Sequence, residues 1–532
     1  MREYNVALNA GVDYDEFWND IESDTDGGKL YIPNRAVEFT NERVASLRQC
    51  WYLLTDEEAE ILRQDERVYC VEIPPEQRTD IKIGRTLKQK SDFTKTTSDN
   101  YEYVNWGLIR CNFQTNPYAS GIVTSSATTS SFEYNMAGAG VDVVIQDSGL
   151  QVDHPEFTDA NGVTRVQQIN WGTVSGLFTQ NANHYRDYDG HGTHVAGITA
   201  GKTYGWAKDA QIYSLKVNGL EGSGDSGTGV SVTYCFDAIK IWHANKSIQP
   251  LTGAKRPTIV NMSWGYSTEY NTVTSVTYRG TTFTDTNTKN NSTYRNTNYG
   301  IYPVAGASYT YSAPFRVSSV DVDVEEMIDA GIVVCIAAGN SRYKIDVSGG
   351  TDYDNNIVTD QGTIYYHRGS SPYSTKAFMV GSIDSTPYSG FEEKKAAYSC
   401  TGPGVNIYAP GTDIMSSTSN TVTGFTTGTY YLNSAYKQMN ISGTSMAAPQ
   451  ICGIAALLCG ANPKASVATI RESLISNAAS DLRVVLANND WTDYTTLKGG
   501  TPTIAYNKFN KDIGLNISGE LEFRGQFSYR IV

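Results

Sequence analysis

The sequence predicts an α/β fold in which a mostly parallel sheet lies between two layers of helices. Three observations carry that prediction. From about residue 106 to residue 482, short runs apolar on both faces alternate with helical stretches, the pattern of a parallel sheet covered on both sides. The 532 residues exceed one ordinary domain, and 40% hydrophobic with 18% charged residues suits a globular chain with a large core. The 48 Gly and 36 Tyr point to many strands, turns and surface loops.

Residues 1–80 read as a small α+β unit. Tyr4–Leu8 has strand character. Thr55 with Glu58 three positions on is a helix-start signal, continued by Ala59, Ile61 and Leu62. Val68–Ile73 reads as a closing strand before Pro74-Pro75. Residues 81–105 turn polar and charged, with Ile81 and Ile83 as the apolar exceptions. That is linker composition, and an expected processing site. In residues 106–484 the strands are expected at Val141–Ile145, Ile212–Val217, Thr258–Met262, Ile332–Ile336 and Ala377–Val380. Two stretches rich in Thr, Asn, Tyr or Ser, about 266–318 and 416–438, interrupt the rhythm as insertions, the first expected as hairpins or a loop. Residues 485–532 read as a β-rich C-terminal extension, with Leu515, Ile517, Leu521, Phe523, Phe527 and Tyr529 spaced among polar residues.

The formal charge of −14 argues against a nucleic-acid surface. No window reaches the apolar length of a membrane span, and Met1–Asp20 lacks the apolar core of a signal peptide. The expected location is therefore cytoplasmic or virion-associated rather than secreted by the usual route. The eight cysteines show no metal-ligand spacing, and Cys335, Cys452 and Cys459 are expected as buried free thiols.

Four clusters carry chemistry, and each has a bland reading beside it. Asp147 closes an apolar strand, at the sheet edge where ligands bind, though an Asp there is usually a turn residue. His191 sits in Asp189-Gly190-His191-Gly192-Thr193-His194, which places an imidazole at a helix start. A metal pair is disfavoured, because His191 and His194 lack the spacing of ligands one helical turn apart. Ser445, in Ser442-Gly443-Thr444-Ser445-Met446-Ala447-Ala448-Pro449, opens an apolar helix whose amides lie near any negative charge developing there; alone it would read as a cap. Asn340 ends Ile336-Ala337-Ala338-Gly339-Asn340, where its amide can donate to an oxyanion or merely make a Gly-Asn turn.

Together these clusters resemble the subtilisin-like serine proteases in content, in the order Asp, His, Ser and in context, over about 106–477. The resemblance implies a three-layer fold, with Asp147, His191 and Ser445 as the triad and Asn340 as oxyanion donor. It implies that Gly222, Ser223 and Gly224 and Ser263, Trp264 and Gly265 hold an extended protein or peptide substrate. No cofactor is required; structural calcium is common in the family, but no ligand set can be matched here. Gln450 stands where the family usually has His, and Trp264 where a smaller residue is typical, so a reshaped specificity pocket is expected. More loosely, residues 1–76 resemble the family's inhibitory pro-domain. That implies an intramolecular inhibitor and a zymogen, against a permanently attached accessory domain. A catalytically silent or self-processing structural protein on the same fold, of phage-virion type, and an esterase with the same triad are the competing functions.

Overall fold

The computed structural model describes residues 1–22, 35, 37–43, 45–78, 80–84, 105–117, 134, 136–159, 161–302, 311–386, 393–422, 425–483 and 490–508. The main sheet has six parallel strands, in the order Ile407–Pro410, Phe378–Ile383, Val333–Ala337, Thr258–Met262, Asp142–Asp147, Gln211–Lys216. Apart from Gln211, every residue of these strands is buried, because helices cover both faces. Thr444–Ala461 and His191–Ala200 pack together on one side, and Val232–Ala244 and Ser318–Asp329 on the other. The chain leaves Asp142–Asp147 for the neighbour on one side and later returns to the other. The C-terminal ends around that strand thus flank a topological switch point, the usual place for a site in such sheets.

The five expected strands are present. A sixth, Ile407–Pro410, is an edge strand beyond the five expected; proline is tolerated at a sheet edge. Helix Thr444–Ala461 corrects a second expectation. It is long and apolar enough for a membrane span, but 89% of it is buried, and it is the central core helix.

The N-terminal unit is a four-stranded antiparallel sheet, Phe39–Glu42, Gln49–Leu54, Arg2–Leu8, Val68–Glu72, with helices Tyr14–Glu22 and Asp56–Arg63 and a core of its own around Val6, Phe17, Tyr52 and Leu62. The capping box predicted at Thr55 and Glu58 is formed. The unit sits on the helices Val232–Ala244 and Ser318–Asp329. Arg43, with 1% of its side chain exposed, reaches Asp237 at 2.7 Å and Asp323 at 2.6 Å. Glu72 accepts from the amides of Ser318 and Ser319, and Glu76 from Ser231 Oγ and from the amide and hydroxyl of Thr233. Each carboxylate therefore meets the positive end of a helix whose own N-cap residue makes no side-chain cap.

Within the stretch read as a linker, Ile81–Gly84 forms a strand, antiparallel to Gly265–Tyr270. The remainder, 85–104, lies outside the described residues. The insertion at 266–318 takes the form of paired strands (Gly265–Tyr270, Val273–Tyr278, Thr281–Phe283, Tyr311–Pro314) and helices Thr286–Asn290 and Ser292–Tyr299. The one at 416–438 adds to a small three-stranded sheet. Of the C-terminal extension, residues 490–508 are described, and Trp491, Leu497, Ile504 and Ala505 are buried; residues 509–532, with the expected strand residues, lie outside the description. The eight cysteines are free, and all but Cys70 are buried.

Candidate active site

Asp147 is the last residue of its strand and His191 the first of its helix, and both side chains are fully buried. His191 Nδ1 lies 2.8 Å from Asp147 Oδ1, which fixes the ring; among the described residues, Nε2 has no hydrogen-bond partner. Gly192 explains why this helix starts with such small residues. A Cβ there would come within 2.2 Å of the Gly149 carbonyl, so only glycine lets the helix reach the strand end.

One residue in this arrangement escaped sequence reasoning. Asp187 is buried and uses both carboxylate oxygens. Oδ1 accepts from Ser148 Oγ (2.8 Å) and the Gly190 amide (2.8 Å), and Oδ2 from the amide (2.9 Å) and hydroxyl (2.5 Å) of Thr193. Ser148 Oγ in turn accepts from the Gly192 amide. Asp187 thus ties the end of the Asp147 strand to the start of the His191 helix. An acid four positions ahead of a glycine-flanked histidine was the available signal.

His194 is a structural histidine. Its Nε2 donates between the carbonyls of Ile414 and Met439, and burial lowers its pKa to about 3. Among the described residues, no group of three or more His, Cys, Asp or Glu is placed to hold a metal ion, so no calcium ligands are assigned.

Ser445 is the second residue of its helix, and its amide is among the first-turn donors that no helical carbonyl satisfies. Its hydroxyl donates to the Ser263 carbonyl at 3.1 Å, not to His191, so hydroxyl and imidazole are not hydrogen-bonded. Ser263 Oγ donates back to the Ser445 carbonyl, with Asn261 Nδ2 donating to that Oγ. Asn340 follows the strand Val333–Ala337. Its Oδ1 accepts from both the amide (2.8 Å) and the hydroxyl (2.9 Å) of Thr444, so the donor end, Nδ2, points away from Thr444. Ser445, Asn340, Ser263, Trp264 and Gly265 line one cavity of about 180 Å³.

Trp264 is held by donation from Nε1 to Gln146 Oε1 (3.2 Å) and packs edge-on to Tyr266. Gly222, with φ +86°, presses the second predicted substrate segment, which includes the exposed Ser223 and Gly224, against the backbone of Asp189. The buried Lys216 ammonium holds that loop through Asp225 at 2.7 Å and Thr228 at 2.8 Å. Gln450, in the second turn of the Ser445 helix, accepts from Trp206 Nε1 and Asn105 Nδ2 and donates to Asn105 Oδ1.

A model of the subtilase family matches residues 138–508. The chain is 26% identical over 422 residues to a cuticle-degrading serine protease of Arthrobotrys oligospora, covering 79% of this chain and 72% of that one. It is 26% identical over 440 residues to an extracellular serine proteinase of a Thermus species, covering 82% and 72%. A solved structure of a cold-adapted subtilisin-like serine proteinase aligns at 21% identity over 76% of this chain and 98% of its own, with a TM-score of 0.45.

Proposed function

This chain belongs to the subtilase family and is a subtilisin-like serine endopeptidase, and on that premise we propose that Ser445, His191, Asp147 and Asn340 carry its chemistry. The observation that carries the assignment is the buried 2.8 Å contact of Asp147 with His191 Nδ1, with Nε2 left without a partner among the described residues. Rotation of Ser445 about its Cα–Cβ bond releases the hydroxyl from the Ser263 carbonyl and brings it to Nε2. His191 then takes the proton as Oγ attacks the peptide carbonyl, while Asp147 holds the tautomer and stabilises the imidazolium. The Ser445 amide and Asn340 Nδ2 receive the oxyanion. The proton passes to the leaving amine, and water, deprotonated by His191, hydrolyses the acyl-enzyme. The segments Gly222–Gly224 and Ser263–Gly265 hold the substrate backbone on either side.

The N-terminal unit acts as an intramolecular inhibitor. Supporting this are the ladder between Ile81–Gly84 and the strand that continues from Ser263-Trp264, and the two helix ends met by Glu72 and Glu76. The expectation of a cytoplasmic or virion-associated location finds no support among the relatives, one of which is named as extracellular.

The test is labelling with a fluorophosphonate and intact mass, on wild type and Ser445→Ala. The expected result is labelling and loss of an N-terminal fragment in wild type only. Labelling that persists in Ser445→Ala refutes the nucleophile, and hydrolysis of esters without peptide amides refutes the peptidase.

A further inference from the structure

The strand Gly265–Tyr270 continues directly from Ser263-Trp264 into the insertion, and its backbone has a definite facing. The Tyr266 amide donates to the Ser371 carbonyl (3.2 Å) and its carbonyl accepts from Phe315 (3.1 Å), so Tyr266 turns away from Ile81–Gly84. Residues two apart on a strand face the same neighbour, so Gly265 and Ser267 turn toward it, in register with Gly84 and Lys82. The other flank agrees. Ser267 stands opposite Pro314, which has no N–H to give, and Ser267 needs none from that side. Ser263 lies in the same two-residue phase, and its carbonyl is the one that the Ser445 hydroxyl touches.

We propose that the insertion lengthens the substrate-binding edge, with the amide and carbonyl of Ser267 pairing the main chain of the fifth substrate residue before the scissile bond. The inference rests on the active-site reading above. A peptide residue at Ser445 faces Ser263, the residue two before it faces Gly265, and the residue four before it faces Ser267. The ligand is an extended polypeptide, added as a further strand by main-chain bonds and so tolerant of side-chain identity. The protein's own Lys82 occupies that position in this structure.

The full-length protein, after processing itself, is assayed on peptides lengthened from three to six residues ahead of one fixed scissile bond. Adding the fifth residue is expected to raise kcat/KM about tenfold, the value of two added main-chain hydrogen bonds. N-methylation of that residue's amide, which removes one of the two bonds, cuts the gain to about threefold. Ser267→Pro, which lacks the N–H but keeps the carbonyl, lowers the ratio of kcat/KM for the five-residue and four-residue peptides to about three. A gain that is absent, or that survives both changes undiminished, overturns the proposal. If the variant is inactive on every peptide, the N-methylated peptide on the unaltered enzyme decides alone. If the unaltered enzyme cleaves no peptide of any length, the protease reading fails, and the proposal with it.

Discussion

Asp187→Asn separates a residue that positions the site from one that merely supports the fold. The carboxylate accepts four hydrogen bonds, two at each oxygen, from Ser148, Gly190 and Thr193. An amide has one acceptor end. Whichever way it is placed, its NH₂ faces a backbone N–H, of Gly190 or of Thr193, and a hydroxyl can turn to adapt but a backbone N–H cannot. One buried donor left unsatisfied costs about 1–3 kcal/mol, and losing the charge of the acceptor adds to it, so the expected loss of stability is about 3 kcal/mol. The same change loosens the junction that holds His191 against Asp147, where a displacement of about 1 Å costs on the order of 10²-fold in rate. Stability is read by denaturant unfolding on the Ser445→Ala background, where self-digestion is absent. Activity is read as kcat/KM on a peptide amide with Ser445 intact. Loss of stability with kcat/KM within about twofold of wild type would refute the positioning role.

Asn340→Ala should lower kcat by about 10²–10³ with little change in KM, the loss known for removing the oxyanion-hole asparagine of subtilisin. A KM effect alone would place Asn340 in ground-state binding. Gln450→Ala removes the acceptor shared by Trp206 Nε1 and Asn105 Nδ2, so unfolding free energy should fall by about 2–4 kcal/mol in a denaturant titration; a change below about 0.5 kcal/mol contradicts the network. Burial lowers the pKa of His194 to about 3 and of His184 and His367 to about 4, from the usual 6.5. Between those values the unfolded chain binds more protons than the folded one. Their contribution is therefore whole above about pH 6.5 and is lost as pH falls toward 4, and a thermal midpoint of Ser445→Ala that stays flat over that window would refute it.

Much of this was legible because burial on both faces and glycine at close approaches leave marks in local sequence. The runs Thr258–Met262 and Phe378–Ile383 could be nothing but interior strands once flanked by helices. His191 announced itself through glycines that the packing at Gly149 requires. What local pattern could not show was pairing between distant positions. Arg43 meets Asp237 across 194 residues, and nothing around either one says so. The Tyr-rich insertion read as a loop or hairpins because its strands are half-exposed, and the rings of Tyr270 and Tyr299 bury where aliphatic residues usually would. The orientation of the Ser445 hydroxyl toward the Ser263 carbonyl was equally out of reach, since local sequence does not set a side-chain torsion.

The hydrogen bonds that assemble the site join positions 44, 104 and 182 residues apart. Contacts of such long range in a parallel sheet form slowly, because each closes a large loop before its energy is returned. A nascent or half-folded chain therefore has a serine, a histidine and an aspartate but no nucleophile. Hydrolytic capacity is thus a property of the closed topology and not of any one segment of the chain.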